Sequence, residues 1–409
     1  MKYLIVGNGI AGVNAAEAIR EVDQKGEIVM IGDETFPPYS RPMISQVLDG
    51  SQPHEKLPIR PQSFYSDLGI TPILGARAES MNVDGKRIRI RGGNEISFDR
   101  LLIATGADPR PLKAEGIHLA GIHFMRTQAH VKAQIESAAE ARKALVLGGG
   151  LVGFKAAYGL LKRGLAVTML ITSEYPLSMQ VDDIAGKMIL ESLLLRGLSV
   201  HVGESVAGFE GNGRVKAAVT KSGASFPCEL VVVGKGVYPA HGFIPKDQIK
   251  TDLGIIVDEH LETSVKGVYA AGDVAESTDI ARNKRWVNAI WPEAAIQGRI
   301  AGFNMAGRSM TYPGSLGRNV IRVYDLDVMT IGHANPKPDE GYEIIRSGGP
   351  NKGAYRSLVF EEDRLIGAVL INRIEQGGVL RALIETKRPI DVRHEALLNR
   401  HFNIGRMLH

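Results

Sequence analysis

Glycines at fixed intervals, with acids beyond them, carry most of the chemistry visible in this chain. Gly7-Asn8-Gly9-Ile10-Ala11-Gly12 is a G-x-G-x-x-G turn. In such a turn the first glycine makes the tight bend, the second lets backbone approach a pyrophosphate, and the third lets a helix pack on a strand. The opening N–H groups of that helix, with its positive dipole end, suit phosphate charge. Roughly 20 residues after Gly12 come Asp33 and Glu34, and an acid there can accept a hydrogen bond from a ribose hydroxyl. Gly148-Gly149-Gly150-Leu151-Val152-Gly153 repeats the fingerprint. A third signal, Gly272-Asp273 within GVYAAGDVA at 267–275, puts a carboxylate at the end of an apolar run, where the hydroxyls of a flavin ribitol need an acceptor. Asp273 as a helix N-cap is compatible with that role.

The elements that position these residues follow from hydrophobic pattern. Tyr3 to Val6 reads as a buried parallel strand, Val13 to Arg20 as its helix, and Ile28 to Ile31 as the next strand. The Pro-rich loop FPPYSRPMI at 36–44 should lie over the nucleotide, and mixed segments continue to about Gly75. Arg87 to Arg91 and Glu95 to Phe98 read as short antiparallel strands. Leu101 to Gly106 is a strand ending in Ala104-Thr105-Gly106, a backbone turn close to the nucleotide. In the second copy Ala144 to Leu147 is the strand and Phe154 to Arg163 the helix, closed by Gly164; Val167 to Ile171 follows. Two complete βαβ units imply two dinucleotide sites. Counted from the glycine before each strand, Ile171 matches Asp33, followed by Thr172, Ser173 and Glu174. That end carries neither an acid nor an arginine for a 2′-phosphate, so NADH and NADPH both remain open, with modest discrimination expected. Trp291-Pro292 opens a helix whose positive end could stabilise a reduced flavin. From residue 312 onward, alternating strands at Arg318 to Tyr324, Ala354 to Phe360 and Leu365 to Ile371, with helices at Gly377 to Glu385 and near the C-terminus, suggest a separate cap or interface domain.

Composition excludes several classes. The chain has 409 residues, 44% hydrophobic and 23% charged, with a net charge of +4. That is a globular protein of two or three domains with mild basicity. It suggests a weak preference for acidic partners and does not point to nucleic acid. No apolar run reaches the length of a membrane span, and Met1 leads directly into the first strand without a signal peptide. The single cysteine, Cys228, cannot make a disulfide, a redox CxxC pair, an iron–sulfur site or a Cys-rich zinc site. It reads as a core residue in a reducing, cytoplasmic compartment, and no metal site is expected.

These residues resemble the two-dinucleotide-binding flavoprotein family, the FAD-dependent pyridine nucleotide-disulfide oxidoreductase superfamily. YSRPMIS at 39–45 and GGGLVGFKAA at 148–157 are most similar to its NADH:rubredoxin reductase, ferredoxin reductase and nitrite reductase flavin-domain branch. The resemblance implies an α/β fold with two Rossmann-like domains, glutathione-reductase-like, plus a small α+β C-terminal domain. It implies FAD binding by 1–110 and 238–311, an inserted NAD(P)H domain at 111–237, and an interface domain at 312–409. Gly7, Gly9, Ile10, Ala11 and Gly12 would cradle the FAD pyrophosphate, with Asp33 and Glu34 at the ribose and Arg41-Pro42 along the cofactor. Ala104, Thr105 and Gly106 would approach it, Gly272-Asp273 would bind the ribitol, and Trp291-Pro292 would sit at the flavin. Gly148, Gly150, Leu151, Val152 and Gly153 would take the nicotinamide nucleotide. Where the family has a lysine near the flavin N5 this chain has Gln46, and where it has a glutamate on the second fingerprint helix this chain has Lys155. The expectation is that the cation has crossed to Lys155, with Gln46 and Lys155 as the residues beside the reacting rings. The implied activity is hydride transfer from NAD(P)H to FAD. Electrons would then pass to a rubredoxin-like or ferredoxin-like protein, or to a partner redox subunit, with no active-site disulfide. A flavin-binding assembly or sensor protein with slow incidental turnover, and an oxidase using oxygen, are the alternatives; homodimer formation is left open.

Overall fold

The computed structural model describes residues 1–399 and 402–405. They form two compact units. The first comprises Met1–Pro42, Glu55–Asp108 and Tyr238–Gly317, and the second Met43–His54, Pro109–Val237 and Arg318–His409. Residues 43–54, assigned from sequence to the first nucleotide domain, and the C-terminal segment therefore both cluster with the second nucleotide domain.

The first unit is built on a five-stranded parallel sheet in the order Val268–Ala270, Arg100–Ile103, Lys2–Val6, Glu27–Gly32, Ile70–Leu74. The central strands are apolar and buried beyond their first, charged residues, Lys2, Glu27 and Arg100, because both of their faces are covered. The helix Ile10–Val22 buries Ala11, Val13, Ala15, Ala16, Ala18 and Ile19. Against it lies the helix Trp291–Met305, at backbone distance. A Cβ on Gly298 would fall 2.1 Å from Ala11 O, and one on Gly302 would fall 2.4 Å from Ala15 O. Small residues on both helices thus bring the two N-termini to the same end of the sheet. Ala78–Asn82, Arg87–Ile90 and Glu95–Ser97 form an antiparallel meander; its first strand has little apolar alternation and is not foreseen from sequence.

The second unit repeats the plan, with the parallel order Ser199–Val202, Ala166–Ile171, Lys143–Leu147, Leu230–Val233, Ile122–Phe124. The meander Val206–Asn212, Arg214–Thr220, Ser225–Pro227 closes a core of Leu145, Leu147, Phe209, Val231 and Cys228. The fingerprint helix spans Leu151–Lys162. It begins earlier than the apolar pattern suggests, because the residues between Gly150 and Gly153 are already helical. Lys155 is therefore in its second turn, not its first. The C-terminal sheet has five antiparallel strands in the order Arg318–Val323, Leu326–Gly332, Arg364–Ile371, Ala354–Glu361, Glu343–Gly349, with the helix Gly377–Thr386 packed on it. Leu326–Gly332 and Glu343–Gly349 are additions to the strands expected. Beyond it a short 3-10 turn, His394–Leu398, is seen; residues 400–401 and 406–409, part of the expected C-terminal helix region, lie outside the described residues.

Asp182 ties this sheet to the nucleotide domain. It caps the helix Asp183–Leu195 through Ala185 N at 3.1 Å and accepts hydrogen bonds from Tyr355 Oη and Arg346 Nε. Asn335 adds bonds to the carbonyls of Ser178 and Val181 at 2.8 and 2.7 Å.

The helix contact in the first unit makes a direct prediction. Gly298→Val places its side chain against Ala11 backbone, and overpacking of this kind costs about 3 kcal/mol. The variant should melt at a lower temperature and lose FAD on desalting; a variant with wild-type Tm and flavin content would show that the two helices do not need this approach.

Candidate functional site

The first fingerprint is a cradle that only glycine can form. Gly7 has φ +130°, and a Cβ there would lie 2.0 Å from Ala104 O; a Cβ on Gly12 would lie 2.0 Å from Gly7 O. Gly9 faces open space, with nothing within 4 Å of its Cβ position. Gly9 is also the N-cap of Ile10–Val22 and supplies no side-chain bond to the helix. The second cradle is alike: Gly148 has φ +112° and meets Gly234 O at 2.5 Å, Gly153 meets Gly148 O at 2.0 Å, and Gly150 is open. Gly150 is a bare N-cap as well. By contrast Gln128–Glu140 and Asp183–Leu195 are capped by the side chains of Thr127 and Asp182. The two fingerprint helices thus leave N–H donors free of any side-chain cap where a phosphate would take them. Two cradles with an open central glycine fit two dinucleotides.

Around the first cradle, Glu34 accepts Arg41 Nη2 at 2.6 Å and Tyr39 Oη at 2.9 Å. Arg41 also lies over the Tyr39 ring at 5.2 Å. Burial opposes the charge of Arg41, but Tyr39 and Glu34 outweigh it and raise its pKa above the ordinary guanidinium value. Glu34 therefore orients Arg41, while Asp33 is exposed at the strand end, 3.6 Å from Arg77. Pro42 is exposed beside Arg41. Thr105 Oγ1 donates to Ala240 O at 2.7 Å, fixing the Ala104-Thr105-Gly106 turn. Gly272, at φ +80°, packs between Ala11 and Ala294 and donates to Gln297 Oε1 at 2.8 Å. This sets Asp273 beside the openings of both helices. Asp273 is in a turn that leads into the strand Ala275–Asp279, so it is not a helix N-cap. Trp291 and Pro292 are the first residues of Trp291–Met305, which has no side-chain cap. Sequence reasoning missed Glu293 in that first turn. It is buried, accepts Tyr312 Oη and pushes the phenol up, second to burial itself.

Around the second cradle the strand register corrects the sequence alignment. Gly7 N donates to Ile31 O, and Gly148 N donates to Leu170 O. Gly32 thus corresponds to Ile171, and Asp33 to Thr172. The count fails because Gly26 directly precedes its strand, whereas Gly164 stands one residue further back. Size is exchanged across the pair: Asn8 faces Gly32 in one copy, and Gly149 faces Ile171 in the other. Glu204 N donates to Ile171 O at 3.0 Å, bringing a further acid to this strand end.

Gln46 is exposed on the helix Ile44–Leu48. That helix packs on the fingerprint helix, with Leu48 against Gly159 and Arg163 Nη2 bonding Val47 O at 3.2 Å. Lys155 is half-buried, makes no hydrogen bond or ion pair with any described residue, and has its pKa lowered by burial. Cys228 is buried, its thiol pushed up to about 12 mainly by burial, and is a core residue.

Fold and cradles define a class: a flavoprotein oxidoreductase that holds FAD and uses NAD(P)H. Residues 1–293 match the model of the pyridine nucleotide-disulphide oxidoreductases, and residues 318–388 match that of the rubredoxin NAD+ reductase C-terminal domain. The chain belongs to the pyridine nucleotide-disulphide oxidoreductase family. It is 29% identical to the NADH-dependent phenylglyoxylate dehydrogenase subunit epsilon of Aromatoleum evansii, covering 94% of this chain and 91% of that one. It is 28% identical to a rubredoxin-NAD(+) reductase of Pseudomonas putida, covering 94% and 99%. The putidaredoxin reductase of a covalent complex with putidaredoxin superposes with a TM-score of 0.91 at 24% identity, over 100% of this chain and 98% of that chain, which shows the shared fold. Among the described residues no helix is long and apolar enough to cross a membrane.

Asp273→Ala removes an acceptor beside both helix openings. We expect FAD to bind about tenfold or more weakly, the loss of a hydrogen bond to a buried partner, measured as the flavin Kd after reconstitution. An unchanged Kd would remove Asp273 from the flavin site.

Proposed function

We propose that this chain, in the cytoplasm, takes hydride from NAD(P)H and delivers electrons to a rubredoxin-like or ferredoxin-like protein, or to a redox subunit of a larger complex. The observation that carries the proposal is two bare-ended glycine cradles in one chain whose single thiol is buried in the core. FAD, when bound, supplies the exchange between a two-electron donor and one-electron acceptors. No thiol pair of this chain can relay electrons, so the acceptor must take them at the flavin. The names of the relatives support this reading, since they include both a rubredoxin reductase and a subunit of a dehydrogenase.

The chain's own residues bind and tune. Gly7, Gly9 and Gly12 with Asp33, Arg41, Thr105 and Asp273 hold FAD; Gly148, Gly150, Leu151, Val152 and Gly153 hold the nicotinamide nucleotide. Thr172 gives the second site no carboxylate at the place of Asp33, but Glu174 and Glu204 disfavour a 2′-phosphate near that strand end, so NADH should lead. Lys155, partly desolvated and without a partner among the described residues, supplies the positive charge that favours the reduced flavin, in place of the lysine that Gln46 replaces.

Stopped-flow mixing tests both parts. NADH should reduce the flavin faster than NADPH, and reduced protein should be reoxidised by a small iron–sulfur protein far faster than by oxygen. Lys155→Met should slow reduction about tenfold, a barrier change of ~1.4 kcal/mol, and lower the flavin potential. Reoxidation by oxygen alone would make the chain an oxidase. Reduction on the scale of hours, with no acceptor-dependent turnover, would favour a binding or assembly role. A Lys155→Met variant with unchanged rate and potential would place the charge elsewhere.

A further inference from the structure

The two cradles superpose residue by residue through their registers. Val6 pairs with Ile103, and Leu147 pairs with Val233. Ala104-Thr105-Gly106 in the first copy therefore corresponds to Gly234-Lys235-Gly236 in the second. Both segments close on the fingerprint in the same way. The Cβ position of Gly7 lies 2.0 Å from Ala104 O and 3.0 Å from Thr105 N; that of Gly148 lies 2.5 Å from Gly234 O and 3.5 Å from Lys235 N. The third residue is a left-handed glycine in each, at φ +70° and +88°.

Only the middle residue changes its chemistry. Thr105 is satisfied within the protein, through Ala240 O. Lys235 is half-buried and makes no hydrogen bond or ion pair with any described residue. Burial, and then the like charge of Lys221, lower its pKa from the ordinary lysine value. A partly desolvated ammonium without a carboxylate is unfavourable in the free protein. It becomes favourable when a ligand brings the counter-charge. Its place indicates which charge: it follows a strand at the carboxyl edge of a parallel sheet, where such folds bind ligands, and its backbone touches the loop whose open glycine and bare helix end suit a pyrophosphate.

We propose that Lys235 is a binding residue for the pyrophosphate of the nicotinamide dinucleotide, its ammonium donating to a phosphate oxygen. The proposal rests on residues 148–153 being the nicotinamide nucleotide cradle. One ammonium and one bare helix end then share the two negative charges, whereas in the first copy Thr105, already bonded to Ala240 O, brings no charge to the corresponding place.

The test uses ADP-ribose, which carries the pyrophosphate but no nicotinamide ring. ADP-ribose is titrated calorimetrically into the oxidised holoprotein, and NADH reduction is followed by stopped flow. Lys235→Met should weaken ADP-ribose about tenfold or more, as expected for a charge-assisted bond, and flatten the salt dependence of its Kd. The NADH concentration for half-maximal reduction should rise by the same factor, with the limiting rate unchanged. Lys235→Arg should stay within about threefold of wild type. Flavin content and Tm should match wild type in both variants, which separates lost binding from misfolding. Unchanged ADP-ribose affinity in Lys235→Met would overturn the proposal, and so would a lower limiting rate at unchanged affinity, which would put the ammonium at the nicotinamide ring. If the wild-type protein binds neither ADP-ribose nor NADH, the cradle reading itself fails, and Lys235 falls with it.

Discussion

Everything in this chain hangs on contacts so close that no side chain fits between them. In each nucleotide domain the third fingerprint glycine lies on the carbonyl of the first, and the first lies on the strand that follows in the sheet. These approaches press a helix N-terminus against the carboxyl edge of a parallel sheet. The cap is then a glycine, which offers the helix no side-chain acceptor. Helix ends without caps are ordinarily a stability cost of about 1 kcal/mol. On the reading proposed above, a dinucleotide phosphate supplies the missing acceptor, and that cost becomes the binding site. The same device is extended in the first unit by Gly298 and Gly302, which let the helix Trp291–Met305 lie on its neighbour's backbone and open beside Asp273.

On this shared frame the two copies differ in the polar residues set around the glycines. The first surrounds its cradle with partnered groups: Glu34 with Arg41 and Tyr39, Asp33 with Arg77, Thr105 with Ala240. Such prepaired side chains suit a cofactor that stays bound. The second leaves two lysines, Lys155 and Lys235, half-buried and without partners among the described residues. Unpaired charge suits a ligand that comes and goes, since its arrival relieves a desolvation penalty that returns on release. Within that second unit, Asp182, Tyr355, Arg346 and Asn335 join the C-terminal sheet to the nucleotide domain by side-chain hydrogen bonds.

Much of this was legible in the residues. Both βαβ units could be placed from glycine spacing and continuous apolar runs, since buried parallel strands leave little ambiguity. What escaped depends on register and on partners distant in sequence. Matching Ile171 to Asp33 failed by one residue, because a loop one residue longer before the strand is invisible to counting; hydrogen bonds from Gly7 and Gly148 settle Thr172 as the match. Lys155 moved from the first helical turn to the second, because glycine-flanked residues were already helical. Ala78–Asn82 and Glu343–Gly349 lack a clean alternation and emerge only as partners of better strands. The pairing of Glu34 with Arg41 across the Pro-rich loop follows from no spacing rule. Lys235 was in plain view: aligning the ends of the two repeats, Ala-Thr-Gly on Gly-Lys-Gly, would have exposed it.

The central claim is that two independent cradles, each with an open middle glycine, serve two different dinucleotides. Gly9 and Gly150 have nothing within 4 Å of their Cβ positions, so a side chain at either fills the approach to the helix end without disturbing the fold. The direct measurement is paired binding of FAD and ADP-ribose to Gly9→Glu and Gly150→Glu. The account predicts that Gly150→Glu keeps its full FAD content and loses ADP-ribose binding by at least about a hundredfold, while Gly9→Glu loses FAD and still binds ADP-ribose. Loss of both ligands in either variant, with the fold intact, or retention of ADP-ribose by Gly150→Glu, would contradict it.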